Sequence, residues 1–400
     1  MSACDNIQSN QIEVLIAKQA VCGAPDAAPV FKAPNRTDGI YKKTNSFFQS
    51  AEVKKSRQAR KQILDNKDFA AEFPFELTSD IARYLEEGLY SEFTAFQNKA
   101  GLDLNFDATA NTISDNGTTG VLGDFVAGQF VFVPVGIEVP ATMQYYVESV
   151  IDADTLQIKA GNILITNASV ITDISGSMLR SGSTRKYLTV QNRYPRASAP
   201  VDGADFETLV NAVVNSVSLA LGTSGAVTGT LSLIGGTEVD GLAKLDSQTD
   251  LASDDECPVS ASGIVSDIWI DFNQTDAGMS DATIDFGNNV TATPRAGKRG
   301  SHTMSEGDIT CTGSLNSIPT KTNILAEKTK SDNVVQFSLT LPFELEGDRK
   351  LFFTLRNCIY TDVTMNASGN ELMLNSGTYA AQEDVYGCTL QVDANWDTSA

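Results

Sequence analysis

Few residues in this sequence have the types and spacing that catalysis needs. The one histidine, His302, lies in the polar segment GKRGSHTMSEGD. A single histidine excludes a multi-histidine metal site and leaves no other imidazole to act as a base. A Ser-His-Asp triad needs a histidine that is held in place, and a polar loop holds one poorly. We therefore interpret His302 as a loop residue.

The acidic residues do not form a recognisable site either. The segment DFNQTDAGMSDA, which starts at Asp271, resembles a calcium loop, but Thr275 and Asp276 break the required order of oxygen ligands. The adjacent pairs Glu86–Glu87 and Asp254–Asp255 are typical of solvated charge. We predict no metal, no cofactor and no enzymatic activity.

The cysteines show no metal-ligand spacing. The sequence has six cysteines and no CxxC pair. Cys311, Cys358 and Cys388 lie in strand-like runs, where a free cysteine behaves as a small apolar residue. We expect them to be reduced and structural.

The glycine-rich stretch NSVSLALGTSGAVTGTLSLIGG, residues 215–236, could be a phosphate loop or a β-hairpin. A phosphate loop needs Gly-Lys-Ser/Thr leading into a helix, and no lysine occurs here. Apolar residues alternate with Ser, Thr and Ala on both sides of the central Gly and Ser residues. The pattern predicts two strands and a turn.

Charge is distributed unevenly between the two halves of the chain. Residues 1–200 hold 19 basic and 22 acidic residues, whereas residues 201–400 hold 10 and 28. The formal net charge of the 400 residues is −21. An acidic surface repels nucleic acid, because binding to phosphates needs a cationic face.

Two basic clusters interrupt this acidic background. A nucleic-acid patch is one interpretation, but no aromatic residue lies among the basic residues of the first cluster. Contact with the acidic half of a neighbouring subunit fits the charge distribution better. The predicted inter-subunit contacts are Glu52, Lys54, Lys55, Arg57, Arg60, Lys61, Arg295, Lys298 and Arg299.

The clearest helix follows a strand that ends near Leu77. Ser79 is a plausible N-cap, and apolar residues recur at helical spacing from Ile81 to Leu89, with Gly88 weakening the end.

Residues 105–172 have the short, weakly charged β-type runs of a small barrel or sandwich. Neither a secretory signal nor an apolar run of transmembrane length is present.

The order of elements suggests an internal duplication. Strand, basic loop, strand, helix and strands occur in the first half and again from about residue 265. We predict a discontinuous first domain (1–104 and 173–236), an inserted all-β domain (105–172), an acidic linker or loop (237–262) and a second, similar domain (263–400).

The segments SAEVKKSRQARKQILDNKDFAAEFPFELTSDIARYLEEGLYSEF and FETLVNAVVNSVSLALGTSGAVTGTLSLIGG, separated by the inserted β unit, carry a resemblance. The chain resembles the tail tube (major tail) proteins of long, non-contractile-tailed bacteriophages, over about residues 12–393. The resemblance implies a mainly β fold: a tail-tube β-sandwich or barrel with a flanking α-helix, here duplicated in tandem and carrying a small inserted all-β domain.

The resemblance also implies partners and a location. Subunits join sheet edge to sheet edge into rings, and rings stack into a tube that conducts DNA into the host without binding it specifically. Two tube units in one chain favour a homotrimeric, pseudo-hexameric ring, with a homohexamer as the alternative. The other expected partners are tail proteins such as the tape measure and terminator. The protein would be made in the host cytoplasm and reside in the virion, with no membrane association.

Two other classes of function compete with this one. A β-rich adhesin on a virion or cell surface would bind a glycan through residues 105–172. A carboxylate-dependent glycosidase would need two carboxylates facing each other in a cleft. No candidate pair stands out, which disfavours the enzyme.

Overall fold

A computed structural model describes residues 12–49, 62–117, 120–134, 144–163, 166–195, 204–239, 243–252, 256–261, 268–274, 278–294, 301–318, 326–366 and 374–398. Within these ranges the fold is mainly β, with two short helices. The sequence-based prediction of a mainly β fold with a flanking helix is confirmed.

The strands of the first 252 residues begin with β1 (Glu13–Gln19), β2 (Val30–Lys32), β3 (Lys42–Phe48) and β4 (Ile63–Glu76). Helix α1 (Ala82–Leu89) follows. The strands continue with β5 (Gln97–Asp107), β6 (Thr112–Asp115), β7 (Phe130–Phe132), β8 (Gln144–Asp152), β9 (Thr155–Ile158), β10 (Asn167–Arg180), β11 (Tyr187–Pro195), β12 (Ala204–Leu221), β13 (Thr228–Ile234), β14 (Thr237–Glu238) and β15 (Thr249–Leu251).

The rest of the chain begins with β16 (Trp269–Ile270), β17 (Asn273–Gln274), β18 (Gly278–Gly287), β19 (Thr291–Pro294), β20 (Ser301–Ser305) and β21 (Thr310–Ile318). Helix α2 (Ala326–Asp332) follows. The last strands are β22 (Phe337–Leu345), β23 (Arg349–Asn366), β24 (Leu374–Ala381) and β25 (Leu390–Ala394).

A central antiparallel sheet of eight strands runs through both halves of the chain. Its order is β3, β4, β13, β12, β18, β21, β24 and β23. The first four strands come from the first half and the last four from the second. The predicted hairpin at residues 215–236 is confirmed, because β12 and β13 lie side by side at the centre of this sheet.

A second layer packs over one face of the central sheet. In the first half, β12 also pairs with β11, which pairs with β1. In the second half, β23 also pairs with β22, which pairs with β16. One apolar core lies beneath these strands and includes side chains from both halves, such as Leu85, Leu231, Phe286 and Phe353.

Helix α1 is held against the central sheet by its apolar face. Tyr84, Leu85 and Leu89 are buried in the main core. Gly88 allows the close approach, since a Cβ at this position would lie 2.8 Å from Cγ2 of Val217 in β12. The glycine that weakens the helix in isolation is therefore required by its packing.

The predicted N-cap at Ser79 is wrong. A 3-10 turn at Ser79–Ile81 precedes the helix, and α1 has Ile81 at its N-cap, without a side-chain cap. The Ser79 hydroxyl donates instead to Glu256, 2.6 Å from Oε2, and it accepts a hydrogen bond from Arg349. A tertiary contact has thus taken the hydroxyl that would otherwise cap the helix.

Six strands between α1 and β11 close into a small barrel. Their order is β5, β6, β9, β8, β7, β10 and back to β5. The barrel has its own apolar core, which includes Leu104, Phe106, Val147 and Ile174. Strand β10 leaves the barrel at Ser177 and pairs with β25 in the second half of the chain.

The two halves repeat one topology. Within the central sheet, the order β3, β4, β13, β12 in the first half matches β18, β21, β24, β23 in the second. A helix lies between the second and third of these strands along the chain in each half, and each long strand (β12 or β23) also pairs with the strand that precedes it (β11 or β22).

The repeat extends to individual residues of the long strands. The pattern Phe-x-Thr-Leu-x-Asn ends at Asn211 in β12 and at Asn357 in β23, 146 positions later. Both asparagines have positive φ, +62° and +51°. Four residues further on, the pairing of each strand is interrupted by a bulge, at Asn215 and at Thr361. Element order alone predicts the duplication, and this shared residue pattern is a second, independent sign of it.

Candidate functional site

The central sheet has one buried face and one face outside the main core. Val217 lies opposite Leu231 and Phe286 in the neighbouring strands, and all three side chains are buried. Side chains alternate between the two faces of a strand, so the residues between these point away from the core. The β19–β20 hairpin packs against one corner of the outward face, where Val213 and Ile234 cluster with Val290 and Met304.

The outward face is acidic and rich in hydroxyl groups. Its carboxylates are Asp68, Glu72, Glu76, Asp281, Asp285 and Asp362. Its hydroxyl residues include Thr44, Ser216, Ser218, Thr228, Thr230, Ser232, Thr283, Thr310, Thr312, Ser314, Thr364, Ser376 and Thr378. In the described part of these strands, Lys42 is the one basic side chain on this face.

The carboxylates give this face a negative potential. They are spread over three strands rather than gathered in a cleft, and Asp68, Glu72, Asp285 and Asp362 are exposed. Partial burial raises the pKa of Asp285 above its usual range. The face therefore repels phosphate, and its small hydroxyl side chains offer little apolar surface to a passing molecule.

The central sheet has two open edges in the described residues. Strand β3 pairs with β4 alone, and residues 362–366 of β23 pair with β24 alone. The two edges lie at opposite ends of the strand order. An unpaired edge presents a row of backbone N–H and C=O groups that a further strand can bind.

The junction between the two halves lies in the middle of this sheet. Residues 216–221 of β12 pair antiparallel with residues 287–282 of β18, with Ser218 opposite Asp285. The junction is continuous on both faces, since Leu219 lies opposite Ile284 on the core side. It shows how a second-half strand can extend the sheet of the first half.

The barrel is joined to the second half by an aromatic cluster. Phe130 of β7 contacts Trp269 and Phe352 edge-on, with ring centroids 5.3 and 5.2 Å apart. Tyr146 of β8 stacks on Phe272 at 3.8 Å. The barrel is therefore packed against the rest of the protein by large buried rings.

Buried polar groups accompany these rings. Arg356 of β23 donates to Tyr146 Oη at 3.0 Å, to the Gly128 carbonyl at 2.5 Å and to Gln391 Oε1. Asp393 of β25 accepts from the backbone N–H of Phe130 at 3.1 Å and from Gln391 at 2.7 Å.

Asp393 carries the strongest electrostatic cost in this cluster. Burial raises the pKa of Asp393 to about 7, although hydrogen bonds from Gln391 and Phe130 act in the opposite direction. Its side chain is fully buried. Asp393 joins the barrel to the second half through backbone and side-chain hydrogen bonds.

The nine predicted contact residues, Glu52, Lys54, Lys55, Arg57, Arg60, Lys61, Arg295, Lys298 and Arg299, all lie outside the described residues. The strands that flank them are described. Along the chain, the first cluster falls between β3 and β4, and the second falls between β19 and β20, within the connection from β18 to β21. The two basic clusters therefore occur in topologically equivalent connections of the two halves.

Neither the carboxylates of the outward face nor the buried cluster at the barrel is among the residues predicted from the sequence. The first set has a readable signal, because Asp and Glu alternate with buried residues along β4 and β18. Arg356 and Asp393 also interrupt apolar strand segments. Which of these interruptions become buried depends on the packing of the barrel, which a single sequence does not reveal.

Other features of the described residues bear on chemistry. No group of three or more His, Cys, Asp or Glu residues there could hold a metal ion. Cys311, Cys358 and Cys388 are buried and unbridged, as predicted, and burial raises the pKa of all three thiols. Within the same ranges, no helix has the length and hydrophobicity that crossing a membrane requires.

Comparisons with known proteins add one match. A family model described as phage tail tube protein matches residues 9–383. The search of curated proteins gives no match. The family match includes both halves of the central sheet and the barrel between them.

Proposed function

Because the chain belongs to the phage tail tube protein family, and is therefore a structural protein of the virion tail, we propose that it self-assembles into rings that stack into the tail tube. The tube conducts DNA during ejection into the host. The observation that carries this proposal is the acidic, hydroxyl-rich face of a sheet whose two edges are open.

The outward face of the central sheet lines the lumen in this proposal. DNA must move along the tube without being retained. Carboxylates such as Glu72 and Asp285 repel its phosphates, and a face with few cations offers few sites for counterion release. The buried face carries the second layer, the helices and the barrel on the outside of the ring.

We infer that each chain contributes two tube units and that three chains form a ring. The repeated strand order and the shared Phe-x-Thr-Leu-x-Asn pattern support a tandem duplication. The unit boundaries then follow those of the sequence analysis: 1–104 with 173–236, and 263–400. Residues 237–262 connect the units. The predicted insertion at 105–172 lies within the barrel, whose strand pairing extends from Gln97 of β5 to Gly176 of β10.

The width of the sheet allows a ring of three chains. Strands lie about 4.8 Å apart, so eight strands form about 38 Å of wall, and three chains close a circumference of about 115 Å. The backbone radius is then about 18 Å, and strand tilt increases it. Two chains would give a radius of about 12 Å, most of which side chains would fill. A ring of six chains is the alternative with a wider bore.

The basic clusters serve the contacts between neighbouring subunits or rings in this proposal. Both clusters occur in the connection between the first and second central-sheet strands of their half, and the second half of the chain carries most of the net negative charge. Attraction between unlike surfaces favours association in a single register. Glu52, Lys54, Lys55, Arg57, Arg60, Lys61, Arg295, Lys298 and Arg299 are the residues we expect at these contacts.

The barrel projects from the outer surface of the ring in this proposal. Its contacts with the second half involve β25, β16 and β23 rather than the acidic face. An insertion at this place leaves both sheet edges open for assembly.

The tape measure protein would occupy the lumen and a terminator protein would bind the end of the tube.

Electron microscopy of the purified protein, together with its mass in solution, tests the proposal. Negative staining of a concentrated sample should show hollow stacked rings, and the mass of a single ring should equal three chains. A mass of six chains would contradict the trimer and keep the tube. A monomer at every concentration would contradict self-assembly.

A further inference from the structure

The junction between β12 and β18 shows how two tube units join within one chain. The topological repeat makes β23 the equivalent of β12, and β3 the equivalent of β18. In the described residues, the open edge of the second unit is β23, whose equivalent β12 forms the junction. The open edge of the first unit is β3, whose equivalent β18 forms the other side of the junction. A second copy would present the missing partner to each edge.

The pairing inside each unit fixes which residues are equivalent. The bulges of hairpins β12–β13 and β23–β24 lie 146 positions apart, and the pairs on either side of them are also 146 positions apart. Ile234 therefore corresponds to Ala380. Ile234 is linked through Ala70 to Lys42 in β3. Ala380 is linked through Thr312 to Asp285 in β18. Lys42 therefore occupies the place of Asp285.

The equivalents on the other strand follow from the interval of 146 positions. Ser216 corresponds to Asp362, and Ser218 corresponds to Thr364. Inside the chain, Ser218 lies opposite Asp285. The equivalent pair between two chains is Thr364 with Lys42.

We propose, on the basis of the tube function above, that β23 of one chain binds β3 of a second copy as an antiparallel pair in the register of the internal junction. Thr364 then lies opposite Lys42, and Asp362 lies opposite Thr44. Each ring repeats this contact once per chain, alternating with the internal junction.

Three observations on the described residues support this contact. Both edges are unpaired over these residues, and the two strands run in opposite directions in the order of the sheet. Lys42 and Asp362 become diagonal neighbours on one face, within reach of a lysine side chain. The internal junction has Asp285 and Ser216 at these places, so the charge pair occurs only between chains.

The pairing of unlike charges also gives a direction to assembly. Among the described residues, Lys42 is the basic residue of the outward face, and it lies on the edge that must approach Asp362. Two copies of β3 would place lysines together, and two copies of β23 would place aspartates together. Like charges disfavour both of these edge contacts.

Cysteine cross-linking in assembled rings tests the register. The background variant replaces the exposed Cys22 and Cys257, and also Cys4, by serine. Lys42→Cys with Thr364→Cys is the predicted pair. A short bifunctional thiol reagent bridges directly opposite residues, whether they form a hydrogen-bonded or a non-hydrogen-bonded pair. The matched control is Lys42→Cys with Asp362→Cys, whose positions are diagonal and too far apart for the same reagent.

The predicted pair should give covalent dimers and closed trimers on a denaturing gel, at least tenfold more than the control pair. Rings imaged before cross-linking show whether assembly itself has occurred. Rings with a stronger control band, or with no cross-link in either pair, would overturn the register and leave the tube function standing. Absence of rings in the background variant and in the unmodified protein would overturn both.

Discussion

Among single residues, the buried carboxylate of Asp393 has a measurable consequence. It lies where the barrel meets the second half of the chain, and burial raises its pKa to about 7. An unfolded aspartate titrates near 3.9. Since the folded state holds the proton more tightly, this residue favours the folded state at low pH. That contribution is lost as the pH rises from about 4 to about 7.

Replacing Asp393 by asparagine should remove this dependence. The free energy of unfolding of the unmodified protein should contain a part that falls by up to about 1.4 kcal/mol per pH unit between these values. Asp393→Asn should lack that part. Denaturant titrations between about pH 5 and about pH 8 measure the difference between the two proteins, so that the remaining groups cancel.

A control variant is available in the same region. Asp384 lies 3.6 Å from Arg356 and accepts a hydrogen bond from the backbone N–H of Tyr386. Asp384→Asn should keep the pH dependence of the unmodified protein. If Asp393→Asn kept it as well, the carboxyl group of Asp393 would not be the source of the slope.

Among the elements, the two 18-residue strands β12 and β23 do the most to shape the fold. Each belongs to the central sheet at its end and to the second layer at its start. The change occurs around an asparagine of positive φ, a conformation that asparagine tolerates far better than β-branched residues. The Asn357 side chain also donates to the Glu383 carbonyl at 3.0 Å.

Substitutions at Asn357 should separate backbone conformation from hydrogen bonding. Asn357→Gly loses the side-chain bond but keeps access to positive φ, and we expect a cost below about 1 kcal/mol. Asn357→Val loses both, and we expect a cost of roughly 1–3 kcal/mol more.

Thermal unfolding followed by circular dichroism measures these differences. Thr312→Val, on the outward face of β21, introduces the same side chain at an ordinary strand position and should change stability little. Equal stability of the glycine and valine variants at position 357 would show that the corner does not depend on its left-handed residue.

The sequence predicts much of the fold at this scale but not how the halves join. The alternation in residues 215–236 is sufficient for the hairpin, and the apolar spacing from Ile81 is sufficient for α1. Closure of the barrel depends on pairings between strands far apart in the chain, such as β5 with β10. The strands that pair with β12 likewise depend on the whole sheet, because the side chains along β12 do not specify which strand lies beside it.

For the whole molecule, the distribution of charge should decide how the tube treats DNA. We expect assembled protein to leave duplex DNA in solution at physiological salt. Glu72→Lys combined with Asp285→Lys reverses two carboxylates of the outward face. Tubes of this variant should retain short duplex DNA in co-sedimentation, and retention should weaken as salt is added.

The matched control places the same charge change on the barrel. Glu148 and Asp152 are exposed residues of β8, on the surface that we place outside the tube. Glu148→Lys with Asp152→Lys has the same net charge as the lumen variant and should retain much less DNA. Equal retention by the two variants would contradict the assignment of the acidic face to the lumen.

The junction between β12 and β18, which forms within one chain, has a kinetic consequence for building the proposed ring. In the proposed trimeric ring, every second contact is formed within one chain, where the local concentration of the partner strand does not depend on how much protein is present. Dilution therefore slows only the remaining contacts. Three chains assemble through two bimolecular encounters and one closure, whereas six separate units would need five encounters and one closure. The barrel, present in one unit of each pair, would mark alternate positions around this proposed ring with threefold spacing.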